Sequence, residues 1–530
     1  LPSYLTNKLF KHQFLFQMYD RRADEGCFRV ADLRLGLDVG TTAIKAAAFD
    51  GSGDAVGFAD RASETVRLPG GGSEQSLESV WRATSECLGN LASQFDGRHV
   101  RSIGICAQGD GFWALDSGAK PIRNAILWND TRPGMVNDLK ALESAGRTGS
   151  VSLGCHTALW PGTSALGWRW LRENEPEAAD SVAQIVTCGG WIGAQLTGYV
   201  ATDFCNASIP FLDLKTREYG AAVDALGCAD ARGLLSQPRS AVYVLGRLSQ
   251  TAADLTGLPA GVPVSVATLD LGAMIVGMEM FDADDIMMIL GTTAVVSILT
   301  DRFHPTDDPI GATLLHPVNN DIVARVLAPS TGTSAFDWFA GLHLQGSGGS
   351  NAGGSAAGLD GTVTEVPVGS NGVTFLPYLN GERAPFVAPD IRAGFLGMSA
   401  MTTGAELERA VLEGTALSLR HCFEVEGGLP DRPVQLTGCG SNNPVWCQII
   451  SDIVGQDILV NPRSDLGLWG AACIGAAAAG YGDVRSLCQR ENDFIRYRPD
   501  PANHKEYRHV FQRYAMLSDA VVAASTGRGP

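Results

Sequence analysis

A chain of 530 residues is too long for a single hydrophobic core and long enough for two or three domains. Apolar residues make up 45% and charged residues 18%, an ordinary folded composition, and no apolar run approaches the roughly 20 residues that span a bilayer. The formal charge of −17 argues against nucleic-acid binding, which needs a basic footprint, and against docking on anionic membrane.

Residues 1–32 mix Lys, Arg, Phe and Tyr without periodicity and lack a basic-then-apolar secretory pattern. They read as an extension outside the fold, with a short amphipathic helix on the first domain as the alternative. From there strand and helix signals alternate. Leu33–Asp38, Ala43–Phe49 and Ala55–Ala59 are predicted strands, Ser79–Gln94 a helix, and Arg101–Ala107 a strand ending in Gln108-Gly-Asp-Gly111. That order fits a mixed sheet with helices packed on it. Residues 160–260 are richer in helix, with Thr163–Arg172 and Gly189–Leu196 as candidates. A short β-branched strand, Val262–Ala267, runs into Thr268-Leu-Asp270. The main boundary is placed near Met278–Ala283, dividing the fold into 33–278 and 279–530.

The second half repeats the plan. Ile286–Leu290 and Ala294–Leu299 form a hairpin, and Val434–Thr437 runs into Gly438-Cys-Gly-Ser-Asn-Asn443. Pro444–Ile453 and Gly470–Tyr481 read as helices. Gly346–Gly361 is low in complexity and reads as a surface loop, with a mobile lid as the functional alternative. The twelve cysteines, with no C-x-x-C pair, read as reduced, buried thiols of a cytoplasmic protein.

Two phrases say nearly the same thing. Leu37-Asp-Val-Gly-Thr-Thr-Ala-Ile44 and Ile289-Leu-Gly-Thr-Thr-Ala-Val295 each place Gly-Thr-Thr between apolar runs. Such a turn exposes successive backbone N–H groups, a concavity suited to polyphosphate, and glycine lets the backbone approach closely. Two hairpins at domain-sized separation imply two related domains sharing one ligand. Asp38 is a candidate for Mg²⁺ handling through water, with Thr41, Thr42 and Lys45 in reach of phosphates; equally, Asp38 could cap a turn and Lys45 be a solvated strand residue. Asp270, between two leucines at a strand's end, is either a general base or the N-cap of a helix starting at Gly272. Gln108 and Asp110 offer an amide and a carboxylate to hydroxyls, or form a polar turn. Gly438, Gly440, Asn442 and Asn443 form a turn against which a purine could lie, or a tight strand-to-helix connection. Glu382 and Arg383 lie in a Pro- and Gly-rich ordered loop, where an ion pair between them would hold the loop.

Together these phrases resemble the FGGY carbohydrate kinases over about residues 33 to 500. The resemblance adds Ile126-Leu-Trp-Asn-Asp-Thr-Arg132, Thr163–Asn174, the Gly381-Glu-Arg-Ala-Pro385 phrase and Gly467-Leu-Trp-Gly-Ala-Ala472. It implies an α/β fold of two ribonuclease-H-like domains, shared with actin and Hsp70 chaperones, with an ATP cleft between them. It implies Asp270 as catalytic base, Asp38, Thr41, Thr42 and Lys45 as the first phosphate loop, and Gly291 with Thr292 as the second. Gly438, Gly440 and Asn442 would contact adenosine, and Gln108 and Asp110 the sugar. ATP and Mg²⁺ are the implied cofactors, a small sugar or polyol is the implied partner, and a homodimer is compatible with the class. The Gln-Gly-Asp-Gly phrase looks most like the erythritol kinase branch, with L-xylulose kinases next. Glycerol kinases carry arginine where this chain has Gly109, and many pentulose kinases carry histidine at Asp110. The rival from another class is a nucleotide-switched binding protein of the actin or chaperone type.

Overall fold

The period-two alternation of Leu33–Val39 decides how the first sheet sits. Leu33, Leu35, Leu37 and Val39 point to one face and are fully buried, while Gly36 and Asp38 point to the other. Burying each such leucine contributes about 1.5–3 kcal/mol. The computed structural model describes residues 32–302, 310–346, 361–491 and 493–526. The leader before Asp32 and most of the Gly346–Gly361 segment lie outside the described residues.

The first half contains β1 (Leu33–Val39), β2 (Ala43–Phe49), β3 (Ala55–Ala62), α1 (Leu77–Ala92), β4 (Val100–Ala107), α2 (Ser164–Asn174), α3 (Cys188–Thr197), β5 (Val244–Arg247), β6 (Pro263–Ser265), β7 (Thr268–Leu269) and α4 (Asp270–Gly277). The sheet order is β5-β6-β4-β1-β2-β3, with β7 also paired to β4. The strands β1 to β3 form an antiparallel meander, while β4, β6 and β7 run parallel to β1 or to each other. Helix α1 starts where Ser76 caps it, its side chain accepting from the Ser79 N–H at 3.2 Å. Its Leu77, Val80, Leu88 and Leu91 recur at helical spacing and cover the leucine face of β1. The predicted strand over 262–267 is two short pieces, β6 and β7, separated by Val266 and Ala267, so that β7 ends directly at Asp270. Between β4 and β5 the chain builds a separate helical cluster in which Trp168, Met135, Leu139 and Val223 are buried together.

The second half contains β8 (Ile286–Leu290), β9 (Ala294–Thr300), β10 (Ala312–Leu315), β11 (Val323–Leu327), α5 (Thr333–Gly346), α6 (Gly404–Val425), β12 (Val434–Thr437), α7 (Pro444–Val454), β13 (Ile458–Val460), α8 (Leu466–Ala478), β14 (Ile495–Tyr497) and α9 (Pro501–Thr526). Its sheet order is β10-β11-β9-β8-β12-β13-β14. The central part, an antiparallel hairpin flanked by a parallel strand, reproduces the first sheet with β8 in the place of β1 and β12 in the place of β4. Helix α6 opens with a capping box between Thr403 and Glu406 and lies buried against this sheet.

Helix α8 begins four residues before the predicted Gly470 and crosses between the halves. It follows all but the last strand of the second sheet in sequence but packs on the non-leucine face of the first. Glycines permit the approach. A Cβ on Gly104 would stand 1.7 Å from the Ala471 carbonyl oxygen, and one on Gly470 would stand 1.8 Å from that of Ala273 in α4. Cys106, Ala273 and Ala471 meet there, one each from β4, α4 and α8.

Candidate active site

Three parallel strands of the first sheet stop together. Asp38 is opposite Cys106, and Cys106 is opposite Thr268; one residue on, Ala107 faces both Val39 and Leu269. Asp38 at the end of β1, Gln108 just after β4 and Asp270 just after β7 therefore leave neighbouring strand ends, where α/β sheets place their sites.

Asp38 shares the sheet face of Gly36. It sits across the hairpin from Lys45, and the Cys106 thiol donates to it. Burial pushes its carboxyl up, outweighing the Lys45 charge and the thiol. Asp270 is the first residue of α4, and its Oδ1 accepts the Leu271 N–H at 2.7 Å. The helix thus starts at residue 270, capped by Leu269 without a side-chain bond, and the N-cap alternative for Asp270 is set aside. Its side chain is open to solvent yet ringed by protein, as on the floor of a recess. Desolvation first, and then the Asp38 carboxylate, raise it to about 7 against the pull of the Leu271 N–H.

Gln108 is buried and fully engaged. Its Nε2 donates to Gln75 Oε1 at 2.8 Å, and its Oε1 accepts the Thr41 hydroxyl at 2.7 Å. Trp128 Nε1 donates to that same hydroxyl at 3.2 Å, so Thr41 faces inward and Thr42 is the exposed residue of the turn. Asp110 sits in the left-handed region at φ +54°. The Ser164 N–H at the start of α2 donates to its Oδ1 at 2.9 Å. Its Oδ2 is buried with no partner and lines a small chamber. Burial, only partly offset by Ser164, pushes Asp110 up to about 7.

The polar run Thr202-Asp203-Phe-Cys-Asn206 was not singled out in the sequence, yet it lies beside these residues. Asp203 is fully buried; it accepts the Thr268 hydroxyl at 2.6 Å and the Asn206 side-chain amide at 2.7 Å. It ties the strand carrying Asp270 to the wall of the chamber. The signal available in sequence was a carboxylate and an amide inside an apolar stretch.

In the second sheet β8 and β12 also stop together, Ile289 opposite Thr437. Gly291 and Thr292 follow the first, and Gly438, Gly440 and Asn442 follow the second. Gly438 has φ +100° and ψ 170°, and a Cβ there would stand 2.6 Å from the Leu290 carbonyl oxygen. A Cβ on Gly440 would stand 2.4 Å from Leu290 Cγ. Thr292 and Asn442 are exposed, while Asn443 is buried and caps α7 by accepting the Trp446 N–H at 3.1 Å. The carbonyls of Gly291 and Thr292 accept the N–H groups of Thr333 and Gly332 at 2.7 and 3.0 Å. That bracing loop is held in turn by Glu382, whose Oε1 accepts from Ser330, Arg383 and Ala384 N–H at 2.7, 2.9 and 3.4 Å. Arg383 donates to the Ala328 carbonyl at 2.7 Å. The expected Glu382–Arg383 ion pair is therefore replaced by carboxylate-to-backbone bonds, which suit a buried acid better because they satisfy loop N–H groups.

Among the described residues no three His, Cys, Asp or Glu side chains are grouped as a metal cage, and no helix is long and apolar enough to cross a membrane. Ten of the eleven described cysteines are buried and only Cys439 is exposed.

The doubled sheet with strand-end clusters in each half is the architecture of two-domain sugar kinases of known structure. Superposition on solved structures gives a TM-score of 0.84 with the xylulose kinase of Lactobacillus acidophilus at 21% identity, covering 94% of this chain and 100% of that one. It gives 0.83 with a xyloylose kinase from Brucella ovis at 24% identity, covering 93% and 100%. The chain belongs to the FGGY family of carbohydrate kinases: the model of the family's N-terminal domain matches residues 33–277 and that of its C-terminal domain residues 286–479. It is 28% identical over 503 residues to an erythritol kinase of Brucella abortus (strain 2308), covering 91% of this chain and 95% of that protein. It is 27% identical to a probable L-xylulose kinase of Pasteurella multocida (strain Pm70), covering 92% and 99%. ATP binding follows from the family, and a small sugar or polyol is the substrate class. The actin- and chaperone-like rival loses its support.

Proposed function

We propose that this kinase phosphorylates a hydroxyl of a small open-chain polyol or pentulose, an erythritol-like polyol first, with Asp270 as the general base. The observation that carries the reading is Asp270 itself: a solvent-reached carboxylate at a strand end, raised to about 7 and facing a second carboxylate. A base poised near the working pH accepts a proton efficiently. The acceptor O–H bond breaks as its oxygen attacks the γ-phosphorus in line; the proton goes to Asp270, and the P–O bond to ADP breaks. Asp38, raised by burial, and Asp270, raised by burial and by Asp38, would fit a Mg²⁺ ion held largely through water and phosphate oxygens. Such an ion would neutralise charge developing on the phosphoryl oxygens.

The remaining roles are those the family resemblance implies, and the positions of these residues at the strand ends support them. Thr42 and Lys45 on the first hairpin, with Thr41 setting its shape, and Gly291 and Thr292 on the second would hold the phosphates. Gly438, Gly440 and Asn442 would line the adenosine. Asp110 would take acceptor hydroxyls directly, and Gln108, committed to Thr41 and Gln75, would fix the loop between them. The division into 33–278 and 279–530 then gives the acceptor, the base and one phosphate turn to the first domain, and the adenosine and the other phosphate turn to the second. The buried thiols fit a reducing, cytoplasmic setting. The Gln-Gly-Asp-Gly phrase and the similarity to an erythritol kinase favour the polyol; a pentulose is favoured by the similarity to xylulose kinases.

The test is coupled ADP release across erythritol, threitol, the pentitols, D- and L-xylulose, ribulose, erythrulose and glycerol. A single strong responder, erythritol above all, is expected. Activity confined to glycerol, or none above background ATPase, would overturn the reading.

A further inference from the structure

The chamber beside Asp110 holds two buried polar atoms without partners, Asp110 Oδ2 and Thr202 Oγ1. Buried polar atoms in a folded protein are almost always paired, and leaving them bare costs free energy. Thr202 is only 3% exposed, so its hydroxyl is available to the chamber rather than to bulk solvent. Asp110 cannot swing away, because the Ser164 N–H holds its other oxygen. Thr187 joins them: its Oγ1 accepts the Gly190 N–H at 3.0 Å, which leaves its own hydrogen to donate. Asn206 is fixed by Asp203 through both its N–H and its amide, so the wall is rigid. Ile209 and Phe211 also line the chamber. The space open to the centre of a water molecule is about 40 Å³, room for about three waters. A two-carbon diol end is of that order of size, and its C–H and O–H groups match a lining that mixes apolar and hydrogen-bonding side chains.

The chamber's loop abuts the end of β7: Leu269, the residue before Asp270, packs against Gly109, its Cδ1 1.9 Å from where a Cβ there would be.

We propose that this chamber is a subsite for the non-reacting, hydroxyl-bearing end of the acceptor, with Thr202 as a specificity-determining residue beside Asp110. The inference rests on the reading of the site as a polyol kinase centre. It selects acceptors of four or five carbons over glycerol, whose shorter chain leaves both atoms unpaired. A site built to bond a hydroxyl rejects the analogue lacking it.

The test compares Thr202→Val and Thr202→Ser with the wild type. In Thr202→Val the ratio of kcat/KM for erythritol to that for glycerol is expected to fall about tenfold, and in Thr202→Ser to stay within about twofold. An unchanged ratio in Thr202→Val, or equal loss in both variants, overturns the subsite. Calorimetric binding of erythritol without ATP keeps the two claims apart. Wild-type binding that weakens about tenfold in Thr202→Val supports the subsite even if no acceptor is turned over, which would sink only the kinase reading. Binding of erythritol that is absent, or equal in both proteins, overturns the subsite even if turnover is high.

Discussion

The two sheets are built on one plan and finished differently. Each ends a hairpin at Gly-Thr-Thr and sets a parallel strand beside it. At the first, the strand ends carry Asp38 and Asp270, with Asp110 close behind, all held above the ordinary carboxylate range by burial. At the second, the strand ends carry Gly291, Gly438 and Gly440, and the acid that braces the adjoining loop, Glu382, is spent on backbone N–H groups. One architecture thus offers side-chain chemistry on one side and bare backbone on the other. The contrast teaches that the scaffold is neutral: a desolvated acid stores basicity, and a glycine turn stores shape.

The sharpest way to break the contrast is to remove the acid. Asp270→Asn is expected to cut turnover by about 10²-fold or more while ATP affinity, read by calorimetry, holds. Near-normal turnover would move the base elsewhere. The mirror experiment is Gly438→Ala, which places a Cβ 2.6 Å from the Leu290 carbonyl oxygen at a φ only glycine accepts readily. It should raise the KM for ATP about tenfold and leave the acceptor KM within about twofold, as a loss of roughly 1.4 kcal/mol would do. Equal rises in both would erase the division of labour. A pH profile sharpens it further. Asp270 must be ionised to accept a proton, and its folded value is about 7. Hence kcat/KM should fall as pH drops through about 7, nearing ~10-fold per unit, and stay level just above it. A limb near pH 4 would mean that neither burial nor Asp38 acts on the base. The smallest effect is on stability. Asp110 rises to about 7 on folding, so its carboxyl favours the fold below its unfolded value near 4, and that favour is lost as pH rises through 7. Asp110→Asn keeps the Ser164 bond and tolerates the left-handed backbone. Its melting temperature should exceed the wild type's by about 2 °C at pH 8 and by less at pH 5. A gain that does not depend on pH would show that ionisation is not its source.

What could be read in the sequence follows from range. Strands β1, β2, β8 and β12 announce themselves by runs long enough to show a period and by glycine turns that end them. Helix α6 was not anticipated, because its buried face carries Arg409, Glu413 and Thr415 among the apolar residues. Thr415 donates to the Val411 carbonyl within the helix, but Arg409 and Glu413 are satisfied by Tyr507 on α9 and, for Glu413, by the Gly369 N–H, partners no local pattern reveals. Gln108 and Asp110 stood out as a polar phrase at a strand end, but their different fates did not. Gln108 is claimed by Gln75 and Thr41, 33 and 67 residues away, whereas Asp110 keeps one oxygen bare. Thr202 stayed hidden for the same reason: its importance comes from having no partner, which only the packed fold defines.

Helix α8 has a consequence for how the protein is made. A ribosome releases the first sheet, with Gly36 and Gly104 laid bare on one face, long before it releases Leu466–Ala478 to cover it. The nascent first half must wait for some two hundred further residues, through all but the last strand of a second sheet, before its inner face is closed. A gene split at residue 278 would therefore yield two fragments that each lack a surface, and they would be stable only when made together in one cell.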